Sequence, residues 1–108
     1  MRFQGKKALV TGAAGGIGKS LVRKLRAEGA SVAITDITIG NVEAEAHFLG
    51  DLSAAQFCDE LPSKATDALG GLDILINNAG IIRRGKITEA TDDDFKSTMA
   101  VNIEAPFR

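Results

Sequence analysis

Between residues 11 and 18 the chain reads Thr-Gly-Ala-Ala-Gly-Gly-Ile-Gly, and no other stretch restricts the fold as much. Residues 7–11 before it form a short apolar run, Lys-Ala-Leu-Val-Thr, which reads as a buried strand. Over residues 16–28 behind it, Ile17, Leu21, Val22 and Leu25 recur at helical spacing, with Lys19, Arg23, Lys24 and Arg26 between them. That pattern predicts a helix with one buried stripe, ended by Gly29 at the usual C-terminal glycine position. Residues 31–36, Ser-Val-Ala-Ile-Thr-Asp, read as a second strand. Strand, helix and strand make a βαβ unit with a right-handed crossover. Its glycine-rich first turn lets an anion approach the backbone, where the helix start supplies free N–H groups and partial positive charge.

The remaining chain continues the alternation. Residues 46–50 predict a third strand and residues 72–76 a fourth, both strongly apolar. Between them Ser53 is expected to cap a helix over residues 54–61. Pro62 is expected to interrupt that helix, with Ser63 capping a further short turn through Leu69. Thr91 followed by Asp92, Asp93 and Asp94 opens a last helix, residues 91–107, with acids against its positive end. Phe95, Met99 and Ile103 share one of its faces. Residues 37–45 are too few for much of a helix, so a tight loop or single turn is expected there. The whole predicts an α/β, doubly wound parallel sheet of Rossmann type with helices on both faces, forming one domain over residues 1–108.

Composition removes several functions. Thirteen Lys and Arg residues oppose fourteen Asp and Glu, so no net field invites nucleic acid or an anionic membrane. No run approaches the roughly 20 apolar residues that span a bilayer. The single cysteine, Cys58, excludes an internal disulfide and a cysteine zinc cluster, and fits a reducing, cytoplasmic setting. Cys58 is expected to be an inert thiol and His47, alternating with apolar neighbours, a structural residue. Asp92, Asp93 and Asp94 are explained by the helix start, so no metal is expected. With no Tyr in the chain, a catalytic tyrosine within it is impossible.

Asp36, ending the second strand, can accept hydrogen bonds from adenosine ribose hydroxyls and repel a 2′-phosphate. Together with the glycine loop it points to a dinucleotide. At this level three readings stand: an NAD-dependent oxidoreductase, a non-catalytic nucleotide-binding module, and a methyltransferase using S-adenosylmethionine.

The spacing Gly12-x-x-x-Gly16-x-Gly18 resembles the short-chain dehydrogenase/reductase family. So do Asn77-Asn78-Ala79-Gly80 after the fourth strand, Asp51-Leu52 after the third, and Val101-Asn102 in the last helix. The resemblance covers nearly the whole chain and implies four strands in the order 3-2-1-4 of a truncated family sheet. It implies that Gly12, Gly15, Gly16, Ile17 and Gly18 surround a pyrophosphate and that Asp36 holds the ribose. Asp51 and Leu52 would lie beside the adenine, and Asn78, Ala79 and Gly80 along the adenosine side. Asn77 would stabilise the sheet, and Asn102 would be the first member of a catalytic Asn-Ser-Tyr-Lys tetrad.

Relatives that prefer NADP often carry a cation at the position of Gly15, and none flanks Asp36, so the implied cofactor is NAD. The family's Ser and Tyr-x-x-x-Lys lie beyond residue 108, so this sequence is expected to be incomplete and inactive alone. The full-length form is expected to be a homo-oligomer acting on a small molecule. Arg83, Arg84 and Lys86 follow the second signature; they read as a solvated loop or, less simply, as a docking site for an anionic substrate.

Overall fold

The computed structural model describes residues 1–38 and 40–108. Four parallel strands form one sheet in the order β3-β2-β1-β4: β1 (Lys7–Thr11), β2 (Ser31–Asp36), β3 (Ala46–Leu49) and β4 (Ile74–Ile76). β1 is central, its Leu9 paired with Ala33 of β2 on one side and Leu75 of β4 on the other. The predicted fold and strand order are therefore observed, with β3 and β4 shorter than expected.

Alternation of side chains along the strands divides the core into two layers. Ala8 and Val10 of β1 and Val32 and Ile34 of β2 meet Val22 and Leu25 of α1 (Gly16–Ala27) on one face. Leu9 and Ala33 meet Leu61, Ala65 and Leu69 of α2 (Ala55–Leu69) on the other. Leu9, Val10, Val22, Val32 and Ile34 are almost fully buried. Gly29 follows α1 with φ +95, as its position in the sequence required.

Three expectations need correction. Helix α2 runs unbroken through Pro62. A proline inside a helix costs about 3 kcal/mol, but Cys58, Leu61, Ala65 and Leu69 form one buried stripe that crosses it. That shared burial outweighs the lost bond, and Ser63 caps nothing. The N-cap of α2 is Ala54, without a side-chain bond, and not Ser53. The backbone N–H of Ser53 instead donates to Asp51 Oδ1 at 2.8 Å, so the turn is built by the aspartate. Ile17, counted in the buried stripe of α1, is 74% exposed, and only Gly18, Val22 and Leu25 are buried there.

Among the described residues of 37–45 no helix forms; Ile39 of that interval lies outside them. The segment is anchored through Glu45, which accepts from Val32 N at 2.7 Å and pairs with Arg26 at 3.1 Å. Burial works against its negative charge, yet these two partners prevail and hold the carboxyl below its ordinary range. His47 is exposed on β3, its Nε2 lying 2.9 Å from the carbonyl of Val42.

The last helix begins as foreseen. Thr91 Oγ1 accepts from Asp94 N, and Asp94 Oδ2 accepts from Thr91 N, both at 3.1 Å, a reciprocal cap. After α3 (Asp92–Met99) the helix widens into a π turn at Ala100–Glu104 and closes with α4 (Ala105–Phe107). Phe95, Met99 and Ile103, with Phe107 beyond them, leave a row of exposed apolar side chains. No described helix is long and apolar enough to cross a membrane.

Candidate functional site

The carboxyl ends of parallel strands are where an open α/β sheet leaves a crevice. Here the ends of β1, β2, β3 and β4 all border one cleft of about 530 Å³. Its walls include every residue the sequence nominated for the cofactor. Gly12, Gly15, Gly16, Ile17 and Gly18 come from the loop and start of α1. Asp36 comes from β2, Asp51 and Leu52 from the turn after β3, and Asn78, Ala79 and Gly80 from the segment after β4.

The glycines divide by cause. Gly12 has φ +64, and a Cβ on it would stand 2.8 Å from Ala79 Cα. A Cβ on Gly18 would stand 2.4 Å from the carbonyl oxygen of Gly12. These two are demanded by the fold itself. At Gly16 no described atom beyond its chain neighbours and its own helix backbone lies within 4 Å of an added Cβ, and at Gly15 the nearest such atom is an ordinary contact at 3.5 Å. Their bare backbone faces the cleft, as expected where a ligand must come close.

Donors at that point are unspent. Lys19 N is the first amide of α1 to bond within the helix, to Gly15 O at 2.9 Å. By helix geometry the N–H groups of Gly16, Ile17 and Gly18 have no intrahelical acceptor. No acid sits in the first turn to offset the positive end of α1. An anionic pyrophosphate fits this donor set.

A staple between strands forms the floor. Thr11 Oγ1 accepts from the backbone N–H of Asn78 at 3.1 Å and of Ala79 at 3.0 Å. Asn78 Nδ2 donates to the carbonyls of Thr11 and Gly12, both at 3.1 Å. The sequence reading gave sheet stabilisation to Asn77, but the bonds tying β1 to β4 here belong to Asn78, while Asn77 is exposed beside Leu75 and Val101. Thr11 was not singled out from sequence. Its signal was a hydroxyl on the otherwise apolar strand, which must find partners when buried.

Asp36 is half-buried, and its two oxygens are already engaged: Oδ2 accepts from Ala14 N at 2.9 Å and Oδ1 from Ile37 N at 2.7 Å. Asp51 is held below the usual carboxylate range by the backbone N–H of Ser53 and by that residue's side chain. Each carboxylate oxygen of Asp36 still has lone-pair capacity for a further hydrogen bond. Arg83 also borders the cleft, and Arg84 does not. It is the one Lys, Arg or His among the described residues of the lining.

Asn102 lies in the π turn and not on the cleft wall. Its Oδ1 accepts from Ile81 N at 2.8 Å and its Nδ2 donates to Ile81 O at 2.9 Å. This two-point clasp fixes the strand exit carrying Asn78, Ala79 and Gly80 relative to the last helix. Cys58 is buried with Sγ 3.2 Å from the carbonyl of Leu52, and burial pushes its thiol pKa up, as an inert thiol requires. Asp92, Asp93 and Asp94 belong to no metal-like cluster among the described residues.

An oxidoreductase of Thermotoga maritima is 42% identical over 99% of this chain and 46% of its own length. The L-2,3-butanediol dehydrogenase of Corynebacterium glutamicum is 36% identical over 94% of this chain and 45% of its own. A short chain dehydrogenase from Burkholderia cenocepacia, solved in complex with NADP, superposes with a TM-score of 0.93 at 35% identity, covering 99% of this chain and 49% of that one. The chain thus spans about half the length of the relatives it matches. The short chain dehydrogenase family matches residues 6–108, and this chain belongs to it.

Proposed function

We propose that the chain is the cofactor-binding part of an NAD(H)-dependent oxidoreductase that interconverts a secondary alcohol and a carbonyl on a small molecule. The observation that carries this reading is the pairing of bare backbone at Gly15 and Gly16 with the Asp36 carboxylate on one cleft. When bound, the nicotinamide cofactor would supply a hydride donor or acceptor. The chain's own residues would hold it. Gly16, Ile17 and Gly18 would offer N–H groups to the pyrophosphate, Asp36 would accept from the adenosine ribose, and Asp51 and Leu52 would flank the adenine. Asn78, Ala79 and Gly80 would line the adenosine side. Asn102 would serve the proton relay of a longer protein's tetrad while clasping Ile81.

Cofactor choice is proposed on charge. The Burkholderia relative was solved with NADP, but here Gly15 contributes no cation and Asp36 is followed by Ile37. Fluorescence titration of the protein with NADH tests the reading, with S-adenosylmethionine as competitor. Saturable NADH binding that S-adenosylmethionine leaves untouched is expected. Displacement of NADH by S-adenosylmethionine, or no NADH binding by a folded protein, would end it.

The exposed row Phe95, Met99, Ile103 and Phe107 supports a further part of the proposal, self-association through the last helix. Sedimentation velocity is expected to give a dimer or larger species that Phe95→Lys with Ile103→Lys converts to monomer. A monomeric wild type overturns it.

A further inference from the structure

In the structure Asp36 does more than face the cleft. Four backbone amides shape the turn from β1 into α1, and each has a defined fate. Ala13 N donates to Thr35 O at 3.3 Å, Gly15 N to Gly12 O at 3.3 Å, and Lys19 N to Gly15 O at 2.9 Å. The remaining one, Ala14 N, donates to a side chain, Asp36 Oδ2, at 2.9 Å. The other oxygen of that carboxylate is fixed by Ile37 N at 2.7 Å, so the group is braced from two sides. Ala14 is the residue directly before Gly15 and Gly16, whose backbone faces the cleft.

We propose that Asp36 is a positioning residue for the glycine loop as well as a ribose acceptor, and that it couples recognition of the adenosine ribose to that of the adjoining pyrophosphate. This rests on the reading of the cleft as a dinucleotide site. A carboxylate has about four lone-pair positions, so two N–H bonds leave room for ribose hydroxyls. Loop order and ribose recognition then draw on one group. Hydroxyls docking on Asp36 find it pre-set by the loop, and the loop presents its amides to the pyrophosphate because Asp36 holds Ala14. Removing the carboxylate therefore weakens contacts it never touches.

The test separates the two roles with a ligand lacking one of them. NADH is compared with its analogue carrying 2′,3′-dideoxyadenosine, which offers Asp36 no hydroxyl, on wild type, Asp36→Asn and Asp36→Ala. Circular dichroism checks folding, and amide hydrogen exchange at Ala14 is read without ligand. Asp36→Ala is expected to weaken the dideoxy analogue on the order of tenfold, the loss of one hydrogen bond to a charged group, and to speed exchange at Ala14. Asp36→Asn, which keeps one acceptor oxygen, falls between wild type and Asp36→Ala on both readouts.

Equal affinity of all three proteins for the dideoxy analogue, with unchanged exchange at Ala14, overturns the proposal. If the wild type binds neither nucleotide, the cofactor reading fails, and exchange at Ala14 still decides whether Asp36 holds the loop. If Asp36→Ala does not fold, Asp36→Asn against wild type gives the same decision.

Discussion

Gly18→Ala is expected to lower stability by about 2 kcal/mol or more, a fall in Tm on the order of 10 °C for a chain of this size. Intrinsic propensity points the other way, because alanine inside a helix is better than glycine by about 1 kcal/mol. Packing decides the sign. The new methyl would stand 2.4 Å from Gly12 O and 2.9 Å from Ala13 Cα, both backbone atoms that cannot swing aside. Gly16→Ala, two residues earlier in the same helix, meets no described atom within 4 Å beyond its chain neighbours and its own helix backbone, and is expected to melt at or slightly above the wild type. Its cost falls on the ligand instead, with NADH affinity reduced about tenfold as the methyl stands between the anion and the N–H groups. Thermal denaturation beside NADH titration reads both. A Gly18→Ala protein that melts like wild type would refute the packing account.

The second large effect is on cofactor choice. NADH is expected to bind about 100-fold more tightly than NADPH, since like charges brought together at an interface cost several kcal/mol. The extra phosphate would meet Asp36 with no cation at Gly15. Gly15→Arg is expected to narrow that ratio to roughly tenfold or less without unfolding the protein. Gly15 has φ −76, and a Cβ there makes only an ordinary contact with Gly12 O at 3.5 Å. Side-by-side titration of both proteins with both nucleotides measures this. Equal affinity of the wild type for the two would remove Asp36 as the selector.

Much of this was legible in the residues because the governing signals are local. The apolar run of β1, the stripe of α1 and the intervening glycines fix a βαβ unit within a short stretch. Thr91 with Asp94 announced its own helix start. What escaped the sequence depended on partners far along the chain. Pro62 read as a break because propensity is local, whereas Leu61, Ala65 and Leu69 on either side of it gain their stability against Leu9 and Ala33. Ser53 had the chemistry of a cap, but Asp51 reached the turn first. The motif letters placed Asn77 and Asn78 together, and only three-dimensional register could show which one reaches Thr11 and Gly12. Ile17 fitted a helical period, although its position at the helix start turns it into the cleft.

The staple at Thr11 also has a consequence for how the protein is made. Leu9 finds Ala33 only one crossover away, so β1, α1 and β2 can come together as soon as β2 has left the ribosome. The bonds from Asn78 to Thr11 close a loop of 67 residues, and loop closure over such distances is slow compared with local pairing. Gly12, with Ala79 against it, acquires its floor only at that late step. The glycine turn after β1 is thus completed only when the segment after β4 docks on it, whereas β1, α1 and β2 pair over short separations.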